Sequence, residues 1–226
     1  EKAASSYLWE NLSEAFAKEG MNMQVFVPFP TRGISQEECE SMRGRENEIL
    51  YNGYLKVYRF LLFGEGSNPI MRAFRYFIQD ILQFCYSVFS KDAKDTDIIF
   101  VPSTPPMQCA MASLVKKVKN KPIVYTLQDI FPDSLVNNGL AKKGGLLWKI
   151  GRMIENFTYK HADKIIVISE DFKKNIMAKG VPEEKIVVVY NWVDQNAVVD
   201  VPREQNKLFD KYGLDRSKFY IEYSGN

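Results

Sequence analysis

Apolar positions in the second half of the chain fall in short β-branched runs, and stretches of helical periodicity stand between them. The runs are Asp97 to Val101, Pro122 to Leu127, Lys164 to Ile168 and Lys185 to Tyr190. The helical stretches are Met107 to Lys119, Leu146 to His161 and Glu170 to Lys179. This alternation predicts right-handed βαβ crossovers and a parallel sheet. Three of the runs end in polar clusters: Gln128-Asp129-Ile130-Phe131-Pro132-Asp133, Ser169-Glu170-Asp171 and Asn191-Trp192-Val193-Asp194. In an open α/β sheet the groups just past the strand ends line the ligand crevice, so these tips are expected to share one rim.

The first half is less regular. Ala4 to Lys18 places Leu8, Leu12, Ala15 and Phe16 on one helical face, with Gly20 as the stop, and Gln24 to Phe29 reads as the strand that follows. Thr31 to Glu48 is charged and weakly periodic, which predicts a surface loop before a strand at Tyr54 to Phe60. Asn68 and Pro69 open a long helix running to about Ser90, with Asn68 as N-cap and Pro69 where a missing N–H is tolerated. A doubly wound domain usually begins with a strand, so a strand and a phosphate-facing glycine loop are expected upstream of Glu1. After Asp194 the texture changes to a short helical stretch through Tyr212, Gly213 and a strand-like Phe219 to Tyr223. The domain division read from this is 1–194 and 195–226.

The chain has 226 residues, 46% of them hydrophobic, enough for one large globular core. Its 30 basic and 28 acidic residues nearly cancel, so charge gives no reason to expect a nucleic-acid partner. Cys39, Cys85 and Cys109 are odd in number and widely spaced, which fits a reducing compartment and a cytoplasmic location. A single histidine, His161, argues against imidazole-rich metal sites and most relay triads, so no metal is expected. His161 closes a helix whose apolar stripe is Leu147, Ile150, Ile154 and Phe157, and reads as a packed or dipole-compensating residue. No run approaches the roughly 18 apolar residues of a membrane span.

Longer motifs carry a resemblance. The passage from Glu155 to Glu170 runs through Ala162-Asp163 into a strand that delivers Ser169, and Gly180-Val181-Pro182, Lys185-Ile186 and Asn191-Trp192-Val193-Asp194 follow in order. These residues resemble the N-terminal domain of family 4 glycosyltransferases, and Trp192 with Asp129-Ile130-Phe131-Pro132-Asp133-Ser134 is most similar to the branch that builds bacterial polysaccharides and O-antigens. The resemblance implies a Rossmann-like doubly wound parallel sheet, the N-terminal, acceptor-binding half of a GT-B fold. Ser224-Gly225-Asn226 resembles the opening of the second, donor-binding domain.

The implied activity is retaining, hexosyltransferase-type transfer from a nucleotide sugar to a polysaccharide or polyprenyl-linked glycan. No cofactor is implied beyond that co-substrate, and this half alone is expected to be inactive. Asp129 is the expected contact to substrate hydroxyls, with Gln128, Ser169, Glu170 and Asn191 as substrate-binding neighbours. Many relatives carry His where Gln128 stands, and an amide cannot titrate, so no proton shuttle is expected there. For Asp129 a turn role stays open, for Asn191 a turn role as well, and for Ser169 an ordinary N-cap. Glu170 either pairs across the cleft or favours the helix start, and Asp133 reads as an N-terminal charge. A non-catalytic acceptor- or lipid-binding module and a flavodoxin-like nucleotide receiver are the competing classes.

Tyr54 to Phe89 concentrates aromatics beside Arg59, Arg72 and Arg75. A core-facing stripe of Phe74, Phe77 or Ile78, Ile81, Leu82 or Cys85 and Val88 is the commoner origin of such a pattern. The other reading is a monotopic surface resting on the inner face of the plasma membrane. Lys116, Lys117, Lys119 and Lys121, with Lys142, Lys143, Lys173 and Lys174, read as solvated helix ends.

Overall fold

A computed structural model describes residues 6–30, 36–42, 44–64, 68–193 and 199–221. Among them the chain forms α1 (Ser6–Lys18), β1 (Met23–Pro28), α2 (Gln36–Ser41), β2 (Asn47–Leu50), β3 (Leu55–Phe60), α3 (Pro69–Phe89) and β4 (Ile99–Pro102). There follow α4 (Gln108–Lys119), β5 (Ile123–Leu127), α5 (Asp133–Asn137), α6 (Leu146–His161), β6 (Lys164–Val167), α7 (Glu170–Ala178), β7 (Ile186–Val188) and α8 (Leu208–Tyr212). The described chain divides into two compact units, Glu1–Asn191 and Trp192–Asn226. Asp194, where the sequence sets its boundary, and Ser224-Gly225-Asn226 lie outside the described residues.

The larger unit is the expected α/β body. Strands β4, β5, β6 and β7 lie side by side in chain order, every pair parallel. β5 and β6 are central in this sheet, and Ile123, Leu127, Ile165 and Val167 are almost wholly buried, as a parallel sheet covered on both faces requires. Cys109 and Ala112 of α4, Tyr159 of α6 and Ile176 of α7 complete that core. Burial pushes the Cys109 thiol up to about 12, which leaves it a packing residue.

A second sheet has the order β1, β3, β2, with β1 and β3 parallel and β2 antiparallel to β3. Neither α2, which lies inside the expected loop, nor β2, which starts at its end, is announced by a local pattern. β2 is an edge strand with one half-buried residue, Ile49's neighbour Glu48 being tied to Arg59 at 2.8 Å, so no apolar alternation marks it. The α3 N-terminus follows expectation: Asn68 Oδ1 accepts from the Ile70 amide at 2.9 Å and from that of Met71 at 3.4 Å. β7 is shorter than Lys185 to Tyr190, because only Ile186 to Val188 pair with β6.

Two stripes are corrected. On α3 the apolar side chains face outward, with Ile70 77%, Phe74 52% and Phe77 44% exposed, while Arg75, Gln79 and Asp80 are buried. On α6, Leu147 and Ile150 are exposed and the buried face is Gly151, Glu155, Thr158 and Tyr159. His161 keeps its expected structural part: Nδ1 lies 2.8 Å from the Phe157 carbonyl, and the two rings are 4.1 Å apart.

At the strand ends opposite the polar tips, Lys116 reaches the Asp163 carboxylate at 2.6 and 2.7 Å, and the Ile123 amide donates to it at 2.7 Å. Lys116 therefore joins α4 to the α6–β6 passage and is not simply a solvated end. In the smaller unit, Arg216 forks onto both oxygens of Asp210 at 2.9 Å, and Arg203 and Arg216 stack on the Phe209 ring. Phe219 to Ile221 form no strand, and Glu222 and Tyr223 lie outside the described residues.

Candidate functional site

The parallel register sets the site, because β5, β6 and β7 point the same way and their carboxyl ends lie along one edge of the sheet. Leu127 is buried at the end of β5, and Ile130 is buried three residues later. Gln128 and Asp129 are held between these two anchors. Ser103, buried just past β4, accepts the Gln128 amide at 3.1 Å and the Asp129 amide at 3.3 Å. That bond fixes the β5 tip to the β4 tip, and Asn191 makes the matching tie from beyond β7. Its side-chain N–H donates to Gln128 Oε1 at 2.9 Å.

Of the five residues singled out in the sequence, the structure thus joins Gln128 and Asn191 directly and places Asp129 beside them. The Asp129 carboxylate is exposed and has no hydrogen bond among the described residues. Ser169 follows β6 between these tips, where its Oγ accepts the Phe172 amide at 3.2 Å as the N-cap of α7. The cap uses an acceptor lone pair and leaves the O–H proton for another partner. Glu170, exposed at the first position of α7, complements the helix dipole.

The floor beneath Asp129 is set by close packing. Pro132 is fully buried, and a Cβ on Gly151 would lie 2.6 Å from Pro132 Cβ and 2.9 Å from Phe131 Cε1. Only a residue without a side chain lets α6 approach the loop this closely. Beside it lies a charged cluster not foreseen in the sequence. Lys179, just past α7, donates to Asp133 Oδ2 at 2.7 Å and to Glu155 Oε1 at 2.8 Å. Glu155, almost wholly buried on α6, is also held by Arg152 and by the Tyr159 hydroxyl at 2.8 Å. Burial, reinforced by the Glu155 charge, drives the Tyr159 phenol far above its usual range, so it stays a neutral donor.

Asp133 thus serves α5, as expected, and also ties it to α7. The sequence signal for this cluster was only Glu155 itself. Arg152 is one helical turn from Glu155, but Lys179 stands 24 residues away, and periodicity does not report such pairs. Among the described residues no group of three or more His, Cys, Asp or Glu could hold a metal ion. Among them, too, no helix is long and apolar enough to cross a membrane.

The chain and the fold that carries this rim are similar to known proteins. The family model for Glycosyltransferase Family 4 matches residues 6–197. The probable glycosyltransferase WbjE of Pseudomonas aeruginosa is 21% identical over 209 residues, which are 89% of this chain and 47% of that protein. Among solved structures, LpCGTa in complex with UDP superposes with a TM-score of 0.51 at 12% identity, covering 84% of this chain and 51% of that one. Anabaena Alr3699/HepE in complex with UDP gives 0.49 at 14% identity, over 85% and 50%. This chain spans about half the length of the curated relative it matches. The LpCGTa likeness carries the fold, a Rossmann-like half of the GT-B type. On its sequence and its architecture, the chain belongs to glycosyltransferase family 4.

Proposed function

We propose that this chain is the acceptor-side half of a retaining glycosyltransferase that moves a hexose from a nucleotide sugar to a polysaccharide or lipid-linked glycan. One observation carries the reading. The unpartnered Asp129 carboxylate stands on a rim that Ser103 and Asn191 hold rigid from both sides. A carboxylate fixed in that way accepts hydrogen bonds from sugar hydroxyls at little reorganisation cost. The UDP held by LpCGTa and the description of WbjE fit this donor and reaction class.

In this reading the donor is gripped by the remainder of the protein, and the 226-residue chain alone does not turn over. The acceptor hydroxyl attacks the anomeric carbon as the bond to the donor phosphate breaks, and a phosphate oxygen takes the hydroxyl proton. Gln128 and Asn191 keep Asp129 in register, and Ser169 with Glu170 border the same groove. No cofactor other than the nucleotide sugar enters this scheme.

The outward apolar stripe of α3 supports a further element, a cytoplasmic protein seated peripherally on the inner face of the plasma membrane. Ile70, Phe74, Phe77 and Ile81 are spaced as one helical face and are all exposed.

The test is Asp129→Asn in the full-length protein, assayed for transfer at equal folded fraction. Position 129 is exposed, so folding stability stays within about 0.5 kcal/mol, while kcat/KM falls by about a hundredfold or more. Unchanged transfer removes Asp129 from the site.

A further inference from the structure

The loop that carries Asp129 has two ends, and the rim contacts fix only one of them. Ser103 accepts the amides of Gln128 and Asp129, and Asn191 donates to the Gln128 side chain. Four residues past Asp129 the chain enters α5, a helix of five residues with no side-chain cap at Pro132. A helix so short has little stability of its own, so its direction is set by what it touches.

Two contacts hold α5 at its start. Pro132 is wedged against Gly151 of α6, and Asp133 accepts from Lys179 at 2.7 Å. The loop and the helix form one hydrogen-bonded unit: the Ser134 amide donates to the Ile130 carbonyl at 2.9 Å, and the Leu135 amide to the Pro132 carbonyl at 3.1 Å. Ile130 follows Asp129 directly and is itself buried. A tilt of α5 therefore moves the backbone on which the Asp129 carboxylate stands.

Lys179 is a fixed point because of what surrounds it. Its ammonium also reaches Glu155 Oε1 at 2.8 Å, and Arg152 and the Tyr159 hydroxyl hold that carboxylate in turn. Two cations and two carboxylates balance within this cluster. Side-chain exposure is graded across it, 3% for Glu155, 13% for Lys179 and 31% for Asp133. Neutralising Asp133 thus leaves the buried pair of Lys179 and Glu155 intact, whereas removing Lys179 leaves Glu155 short of a counterion. Lys179 also closes α7, whose other end is Ser169, so one ammonium links the segments that follow β5 and β6.

We propose that Asp133 and Lys179 are positioning residues for sugar transfer. Their contact sets the direction of α5 and, through the bond from Ser134 to Ile130, the place of the Asp129 carboxylate on the rim. The inference rests on the acceptor-side role given to Asp129 above, and neither residue touches substrate. A shift of about 1 Å in an orienting group costs on the order of a hundredfold in rate, so a contact of small energetic weight has a large effect here.

The test is Asp133→Asn in the full-length protein, which keeps the side-chain shape and removes the charge. The amides of Gln128 and Asp129 are expected to exchange about tenfold faster than in the wild type, while those of Tyr125 and Thr126 in β5 keep their protection. This measurement needs no substrate. In transfer from a UDP-hexose to a polyprenyl diphosphate-linked sugar, kcat is expected to fall at least about tenfold with KM for the UDP-hexose unchanged. Asp133→Glu, which keeps a carboxylate for Lys179, is expected to regain most of that loss. Unchanged exchange at Gln128 and Asp129 overturns the proposal. So does an unchanged kcat at equal folded fraction, the result of a tie that serves stability alone. Asp129→Asn, assayed in parallel, separates the two readings. If it lowers transfer and Asp133→Asn does not, the Asp129 site stands and only the positioning role falls; if neither lowers transfer, both fall. If Asp133→Asn alone lowers it, the contact does not act through Asp129, and the proposal is overturned as well.

Discussion

The side-chain amide of Asn191 donates to Oε1 of Gln128 at 2.9 Å across 63 residues of sequence. β6 lies between the two strands that carry them, so the bond closes over the tip of a third strand and makes one rim of three ends. Both groups are near solvent, where such a bond contributes about 0.5–1 kcal/mol. Its main effect is positional. A double-mutant cycle with Gln128→Ala and Asn191→Ala in the full-length protein is expected to give a coupling of about that size in urea unfolding. Each single variant should also lower transfer more than it lowers stability. Strict additivity in both readouts means that the contact does not organise the rim.

Lys179 serves as the keystone between α7, α5 and α6, with its side chain largely covered and Glu155 almost wholly buried. Removing one partner of such a pair leaves a buried charge short of its counterion, at a cost of about 3 kcal/mol. Lys173 makes an equally short contact, 2.7 Å, to Glu183, but that carboxylate is largely exposed. Such a pair is screened by solvent and contributes little. In urea unfolding, Lys179→Met should therefore lose far more stability than Lys173→Met. Equal losses are inconsistent with a burial-controlled network.

Asp163 supplies the pH dependence. Burial opposes its charge, but the Lys116 ammonium and the Ile123 amide more than offset it and hold the carboxyl below the usual carboxylate range. A carboxyl with a depressed folded-state value contributes stability above the unfolded value, and loses it as pH falls through the folded one. The wild type should exceed Asp163→Asn in melting temperature at pH 6, and the difference should shrink as pH drops below about 4. Lys185 adds a smaller attraction in the same direction. A difference that stays constant from pH 6 to pH 3 rules out the ionised contact as its source.

Much of this molecule was legible because β-branched runs and helical periodicity report local structure directly. β4 to β7 fall where the runs place them, and polar residues follow the ends of β5, β6 and β7. Periodicity says which residues share a face and not what covers it, so it does not reveal that the α3 stripe points outward while Arg75, Gln79 and Asp80 take the buried side. α2, β2 and the five-residue α5 are short pieces held by tertiary contacts, and their sequences carry too few turns or alternations to announce them. The Lys179 cluster and the Asn191 bond join residues far apart in the chain, which no local pattern encodes.

The reversed stripe leads to a direct trial. Phe74 and Phe77 lie on the outward face of α3, each about half exposed, so replacing both with Ser removes little packing from the folded protein. Folding stability should change by no more than about 0.5 kcal/mol per site. Each ring that enters a bilayer interface contributes on the order of 1 kcal/mol, so the double variant should bind vesicles of mixed zwitterionic and anionic phospholipid at least about tenfold more weakly. Flotation of the full-length protein with such vesicles at low salt measures this. Equal flotation of the two proteins shows that the stripe does not contact lipid. A large loss of stability instead assigns the two rings to an apolar contact within the folded protein.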